Sequence, residues 1–133
     1  MSGGSEMRRW LVVGALAAMA LTVAGASAAP RVLTVNCPRS ALPLSDNSIA
    51  PASRAAFARE KPSSRPQVTG ASSAPTDVQR GPMAKAECGT RIWRRTIVVY
   101  IDLRAFQPSA SLSARVSFVS RFRAGYRVWQ IVH

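Results

Sequence analysis

The stretch Thr96-Ile97-Val98-Val99-Tyr100-Ile101-Asp102-Leu103 is the densest β-forming segment of the chain, and it decides the predicted fold. Side chains alternate between the two faces of a strand, so the odd-numbered residues here make one purely apolar face. The even-numbered residues, continued by Arg104, make a mixed face that we expect to be half exposed. Four consecutive apolar β-formers, residues 97–100, indicate a central strand and not an edge strand.

Two further strand-like segments follow before the chain ends. Residues 112–122 alternate between an apolar and a polar face, with Val119 as the exception on the polar side. Gly125 can take the positive φ angle that a three-residue hairpin loop needs, so we predict a β-hairpin that returns through residues 126–132. In the return strand, the two predicted faces carry Trp129 and Ile131 on one side and Val128 and Val132 on the other.

One short helix is predicted upstream of these strands. Residues 46–48 (Asp-Asn-Ser) are typical of a helix start, and Pro62 ends the helix at about Lys61. The apolar face of this helix offers only alanines around Phe57, so the helix must lie on a sheet. Residues 67–74 are a candidate for an additional strand, although residues 71–76 can also be read as a loop.

These elements predict an α+β domain over residues 49–133, with one short helix packed on a curved antiparallel sheet of three to five strands. A Pro-rich segment, residues 62–82, lies inside this domain, and an extended lead-in, residues 29–48, precedes it. In element order the outline is similar to the cystatin-like and nuclear-transport-factor-2-like folds. The inhibitory Gln-x-Val-x-Gly loop of cystatins is not matched, because Gln67-Val68-Thr69-Gly70 is one residue too short. Protease inhibition is therefore not expected.

Residues 1–28 have the organisation of a signal peptide. Arg8 and Arg9 form a basic region, residues 10–23 are apolar, and Ala26-Ser27-Ala28 is a small-residue cleavage site. This pattern predicts a protein that is secreted or held in the cell envelope. The alternative is an uncleaved N-terminal membrane anchor, since the apolar run is about long enough for a tilted span, although its many alanines and glycines insert weakly.

The chain has two cysteines, Cys37 and Cys88, and an even count after an export signal predicts one disulfide bond. Closing the loop between Cys37 and Cys88 with a disulfide stabilises a domain by roughly 4 kcal/mol at most. No Cys-x-x-Cys pair is present, and the only histidine is the terminal residue, His133. The sequence therefore predicts neither a metal site nor a cofactor.

Enzymatic chemistry finds little support in the residue types. Acid–base and nucleophilic sites need a base placed beside a nucleophile or a second carboxylate, whereas the acidic residues here are scattered singly. Asp102 is the most notable of them, because it lies at the end of the strongest strand. It can be an active-site acid, but a solvated carboxylate beside Arg104 or Arg115 is the simpler interpretation. We therefore predict a protein without catalytic residues.

The charge is the main functional signal. The chain carries 18 basic and 6 acidic residues, a net charge of +12, and 16 basic and 5 acidic residues remain beyond residue 28. A small exported domain of this charge attracts anionic polymers, although heavy arginine usage is also what a GC-rich coding sequence produces. No specific nucleic-acid motif is present. The candidate anion-binding residues are Arg91, Arg94, Arg95, Arg115, Arg121, Arg123 and Arg127.

Aromatic residues interleave with these arginines in sequence, namely Phe118, Phe122 and Trp129. Aromatics stacked among arginines are typical of proteins that bind single-stranded nucleic acid. Strand alternation, however, sends the two residue types to opposite faces, which favours aromatics in the core.

The leading hypothesis is a small exported, non-enzymatic binding domain that contacts anionic envelope or extracellular polymers. The alternative is a nuclear-transport-factor-2-like pocket protein that binds a small apolar ligand. An open cavity lined by Tyr100 and Asp102 would favour the pocket protein. An interior filled by Phe57, Phe118 and Trp129 would favour the binding domain.

Overall fold

A computed structural model describes residues 35–133, and the predicted signal peptide lies outside the described residues. The structure confirms the α+β class, with two helices and one antiparallel four-stranded sheet in the order β1-β2-β3-β4. In chain order the elements are α1 (Ile49–Ala58), a short 3-10 turn (Pro62–Ser64), β1 (Pro66–Ser73), α2 (Gly81–Trp93), β2 (Thr96–Leu103), β3 (Ala114–Phe122) and β4 (Gly125–Val132).

Strand β2 lies between β1 and β3, which confirms that the densest β-forming stretch is a central strand. The even-numbered face is half exposed, as expected: Thr96 and Val98 are both 0% exposed, Tyr100 is half-buried, and Asp102 and Arg104 are exposed. The first half of this face is buried because helices pack on both sides of the sheet. Helix α1 packs on the odd-numbered face of β2, and α2 covers the even-numbered face.

Helix α1 contacts the sheet through small side chains. Ala52 and Ala56 are one helical turn apart and fully buried against Ile97 and Val99 of β2. Phe57, which the sequence places with alanines on the apolar face of the helix, is instead 47% exposed and does not fill the interior. Two alanines on one helical face allow the helix backbone to approach the sheet closely, and this approach leaves the larger ring on the outside.

Helix α2 was not predicted from the sequence. It begins at Gly81-Pro82 and is interrupted by Gly89, whose φ of 82° is not helical, so its sequence resembles a loop. Ala84 is nevertheless 0% exposed and packs against Val98 and Phe118 on the second face of the sheet. Tertiary packing therefore stabilises a helix that has weak propensity of its own.

The predicted β3–β4 hairpin is present, with a two-residue loop in place of the expected three. Phe122 pairs with Gly125, whose φ is 119°. A bulge follows, because Phe118 pairs with Gln130 and Val119 with Val128, so Trp129 is an extra residue in β4. The bulge changes the expected faces: Trp129 and Val132 both pack on the α2 side, whereas Val128 packs on the α1 side.

The described part of the lead-in crosses one end of the sheet. We call residues 36–42 the strap. The predicted disulfide joins Cys37 to Cys88 in α2 with a Cα–Cα separation of 5.5 Å, and Leu42 forms a bridge with Arg121 at the end of β3. The strap is thus held at both ends.

A disulfide is consistent with an extracellular location. Within residues 35–133 no helix has the length and apolarity needed to cross a membrane.

Candidate anion-binding surface

The strand register brings six of the seven candidate arginines to one end of the sheet. Thr96 at the start of β2 pairs with Ser120 near the end of β3, so the chain just before β2 and the β3–β4 turn are neighbours. Helix α2 ends just before β2, which places its last turn at the same end. We call these six residues the arginine rim: Arg91, Arg94, Arg95, Arg121, Arg123 and Arg127.

Arg115 is the exception, because it lies at the opposite end of β3, where it pairs with Ile101. Its Nη1 donates a hydrogen bond of 2.9 Å to Oε2 of Glu60, whose side chain is only 2% exposed. Sequence reasoning placed Arg115 among anion-binding residues and treated Glu60 as one of the scattered acids. The structure makes the two an ion pair between the end of α1 and the sheet, so Arg115 is already neutralised.

Three members of the rim are held in place by the protein itself. Arg91 donates a hydrogen bond of 2.9 Å to the carbonyl of Arg39, and Arg95 donates one of 2.6 Å to the carbonyl of Ala41. The guanidinium of Arg127 lies 4.1 Å from the ring centre of Phe122. Each of these groups keeps donors free while its position is fixed, which lowers the entropic cost of binding an anion.

A groove of about 670 Å³ extends from the rim along β4. We call it the strap groove, because the strap forms one wall and the end of α1 forms the other. Its charged lining consists of Arg39, Arg59 and Arg127, and no carboxylate lines it. Its apolar lining includes Tyr126 and Trp129. No sequence pattern indicated Arg39 or Arg59 here, because residues from three separate segments meet at this groove.

None of the five carboxylates in residues 35–133 lines the groove, and three of the five are held by protein groups. Glu60 binds Arg115, and Glu87 accepts a hydrogen bond of 3.1 Å from Gln130. Asp77 is 9% exposed and accepts bonds from the backbone amides of Gln79, Arg80 and Gly81, where α2 begins. Asp46 and Asp102 are left exposed. The described chain carries 15 basic residues, so its surface is strongly positive.

The aromatic residues that interleave with the rim arginines lie in or against the core. Phe118 is 0% and Phe122 9% exposed, and the ring centre of Trp129 lies 5.3 Å from that of Phe118. Trp93 packs on the same core cluster. Phe118 and Phe122 are therefore core residues, as strand alternation predicted, whereas Trp129 is half-buried and also lines the strap groove.

Tyr100 and Asp102, which together would line the cavity of a pocket protein, do not share a cavity. Tyr100 donates its hydroxyl to Asp77 beside α2, whereas Asp102 is exposed and lines a shallow depression with Phe106 and Pro108. Across residues 35–133, no three His, Cys, Asp or Glu residues are grouped so that they could hold a metal ion.

Comparison of the chain with protein-family models, with curated proteins and with solved structures found no match. The function is therefore inferred from the geometry and charge of the surface alone.

Proposed function

We propose that this protein is an exported, non-enzymatic domain that binds anionic polymers of the cell envelope or the extracellular space. The observation that supports this most is the gathering of the six arginines of the rim at one end of the sheet, beside a groove whose charged lining is Arg39, Arg59 and Arg127. Only Arg115 of the described basic residues forms an ion pair with a carboxylate. Positive charge is thus concentrated at a surface that no carboxylate lines.

Binding of this kind is driven by the release of counterions from the polymer. Affinity should therefore fall steeply between about 50 and 200 mM salt and depend little on base sequence or sugar type. The fixed guanidinium groups of Arg91, Arg95 and Arg127 would contact the polymer directly. The exposed side chains of Arg94 and Arg123 would add to the field around it.

The test is a salt titration of the purified protein against inorganic polyphosphate and a labelled single-stranded oligonucleotide. Combined Arg94→Glu and Arg123→Glu substitutions should weaken both interactions about tenfold or more at 50 mM salt. Arg54→Glu with Arg104→Glu makes the same change in net charge away from the rim, and it should have a much smaller effect. Equal weakening by the two pairs would show that net charge alone drives binding and would contradict the rim as its site, and no binding at 50 mM salt would leave the charge without a function.

Export is supported by the N-terminal pattern and by the disulfide. N-terminal sequencing of the mature protein should begin at Ala29 or Pro30. Recovery of the uncleaved chain from the membrane fraction would instead favour the alternative of a membrane anchor.

The cystatin-like outline is likewise a proposal, supported by the passage of α1 across an antiparallel meander. Helix α2, on the other face, is an addition to it. The pocket-protein alternative would need an open cavity between α1 and the sheet. Ala52 and Ala56 pack directly on β2 there, which favours the binding domain.

A further inference from the structure

Strand β4 is an edge strand whose outer side has no partner among the described residues. It pairs with β3 on one side, and no main-chain hydrogen bond joins it to any other described segment. An edge strand presents a row of free amide and carbonyl groups that an extended chain can pair with.

The strap groove follows this edge. Its lining includes Val128, which packs on the α1 side of the sheet, and Trp129, which packs on the α2 side. The groove therefore reaches both faces of β4, with Ala55 and Ala58 of α1 along one side and Pro38 of the strap along the other. Two walls flanking an open edge are what an added strand needs to place its alternating side chains.

The charge of the lining indicates the chemistry of the occupant. Arg39, Arg59 and Arg127 all line the groove, and no acidic residue does. A second copy of this chain would bring the same arginines to the same edge, and like charges facing one another oppose such pairing. An extended chain that carries carboxylates would instead gain hydrogen bonds from the guanidinium groups.

We propose that the strap groove binds an extended acidic peptide segment, which adds to β4 as a fifth strand. The main-chain groups of β4 supply the pairing, and the three arginines select acidic side chains. This inference shares its electrostatic basis with the proposed function, but it requires in addition a peptide backbone that can donate and accept hydrogen bonds.

Three probe peptides of about ten residues test the proposal by fluorescence anisotropy on the full chain. The first alternates Glu and Val, the second alternates Lys and Val, and the third is the Glu peptide with alternate backbone nitrogens methylated. The Glu peptide should bind at least tenfold more tightly than either of the others, since one lacks the charge and the other lacks the donors. Polyglutamate is the control for charge without strand formation.

Arg59→Glu and Arg54→Glu are matched variants, because both residues are exposed arginines of the α1 region but only Arg59 lines the groove. Arg59→Glu should weaken the Glu peptide about tenfold, and Arg54→Glu should change it little. The Arg94→Glu, Arg123→Glu pair should affect polyphosphate more than this peptide.

Equal binding of the Glu peptide and its methylated form would overturn the fifth-strand proposal while leaving polyanion binding intact. If the protein bound the Glu peptide but not polyphosphate, the proposed polyanion binding would be overturned and the fifth-strand proposal would stand. A dimer in sedimentation that Arg59→Glu dissociates would assign the edge to a second copy. Peptide binding by a form that starts at Val35, but not by the full chain, would assign the edge to the preceding residues. Either of these last two results would overturn the proposal.

Discussion

The hydroxyl of Tyr100, in the middle of β2, donates a hydrogen bond of 2.9 Å to Oδ2 of Asp77, in the turn before α2. Asp77 also accepts bonds from Ser72 and from the backbone amides that begin α2. One carboxylate therefore joins the edge strand β1, the central strand β2 and the helix that the sequence did not reveal. Burial raises the pKa of Asp77. The amide of Arg80, the Tyr100 hydroxyl and the other donors together lower the pKa by more than burial raises it, so the net shift is downward.

The first prediction concerns Tyr100→Phe and pH. Burial and the bond to Asp77 raise the pKa of Tyr100 from 10.0 to about 12. The neutral phenol is the form that the fold stabilises, so this contribution is present below pH 10 and is lost as the pH rises towards about 12. Urea unfolding of the wild type should show this alkaline loss, and Tyr100→Phe should not. At pH 7 the variant should be less stable by about 1–2 kcal/mol.

Asp77 has the opposite dependence. Because its folded pKa lies below the ordinary 3.8, its contribution is present above that pH and is lost as the pH falls through the lowered value. Asp77→Ala should cost about 1–3 kcal/mol at pH 7, since it leaves buried amides without an acceptor. In urea unfolding the difference between this variant and the wild type should shrink in acid. A difference that stays constant down to pH 2 would contradict this role.

A second prediction concerns the close approach at the start of α2. A methyl group added at Gly81 would overlap the backbone carbonyl of Ala74, which cannot move without disturbing the end of β1. Gly81→Ala should therefore destabilise the domain by about 1–3 kcal/mol or more in urea unfolding. Gly70→Ala is the matched control, because its nearest contact would be an ordinary 3.9 Å from the Tyr100 ring. Similar effects of the two substitutions would argue against the observed packing of α2.

The third prediction concerns the ion pair between Glu60 and Arg115. Arg115→Met leaves the buried Glu60 carboxylate without its charged partner. The cost should be roughly 2–3 kcal/mol, less than for a fully buried pair because the Arg115 side chain is 30% exposed. Replacing both residues with Met should recover most of the loss, because no uncompensated charge remains. Denaturant unfolding of the single and double variants measures this coupling, and additive losses would contradict it.

The fourth prediction concerns the disulfide and the strap. Reduction of Cys37–Cys88 should lower the free energy of unfolding by up to roughly 4 kcal/mol. It should also loosen one wall of the strap groove, because Cys37 lies in the strap. Free-thiol labelling of the unreduced, denatured protein should find no reactive cysteine. Replacing both cysteines with Ala should reproduce the effect of reductant, and a variant as stable as the wild type would show that the other strap contacts suffice.

Local patterns in the sequence were sufficient to predict β2, β3, β4 and the first helix, whereas β1 was only a candidate. Alternating apolar residues predicted the central strand and the final hairpin, and Ser48 with Pro62 bracketed α1, because these signals act within a few residues. The same kind of counting predicted the disulfide from two cysteines. The strands, the hairpin and α1 depend on neighbouring residues, whereas the disulfide, which joins residues 51 apart, was predictable because two cysteines allow only one pairing.

Long-range packing decided the rest. Helix α2 exists because Ala84 finds an apolar surface on the sheet and Asp77 binds its first amides, although glycines weaken it locally. The bulge at Trp129 reversed the faces of the last residues of β4, which no alternation pattern could reveal. Arg115 does not belong to the anion-binding surface, because it pairs with Glu60, 55 residues away in sequence. Arg39 and Arg59 belong to that surface because the strap and the end of α1 come together beside β4, and only the tertiary fold brings them there.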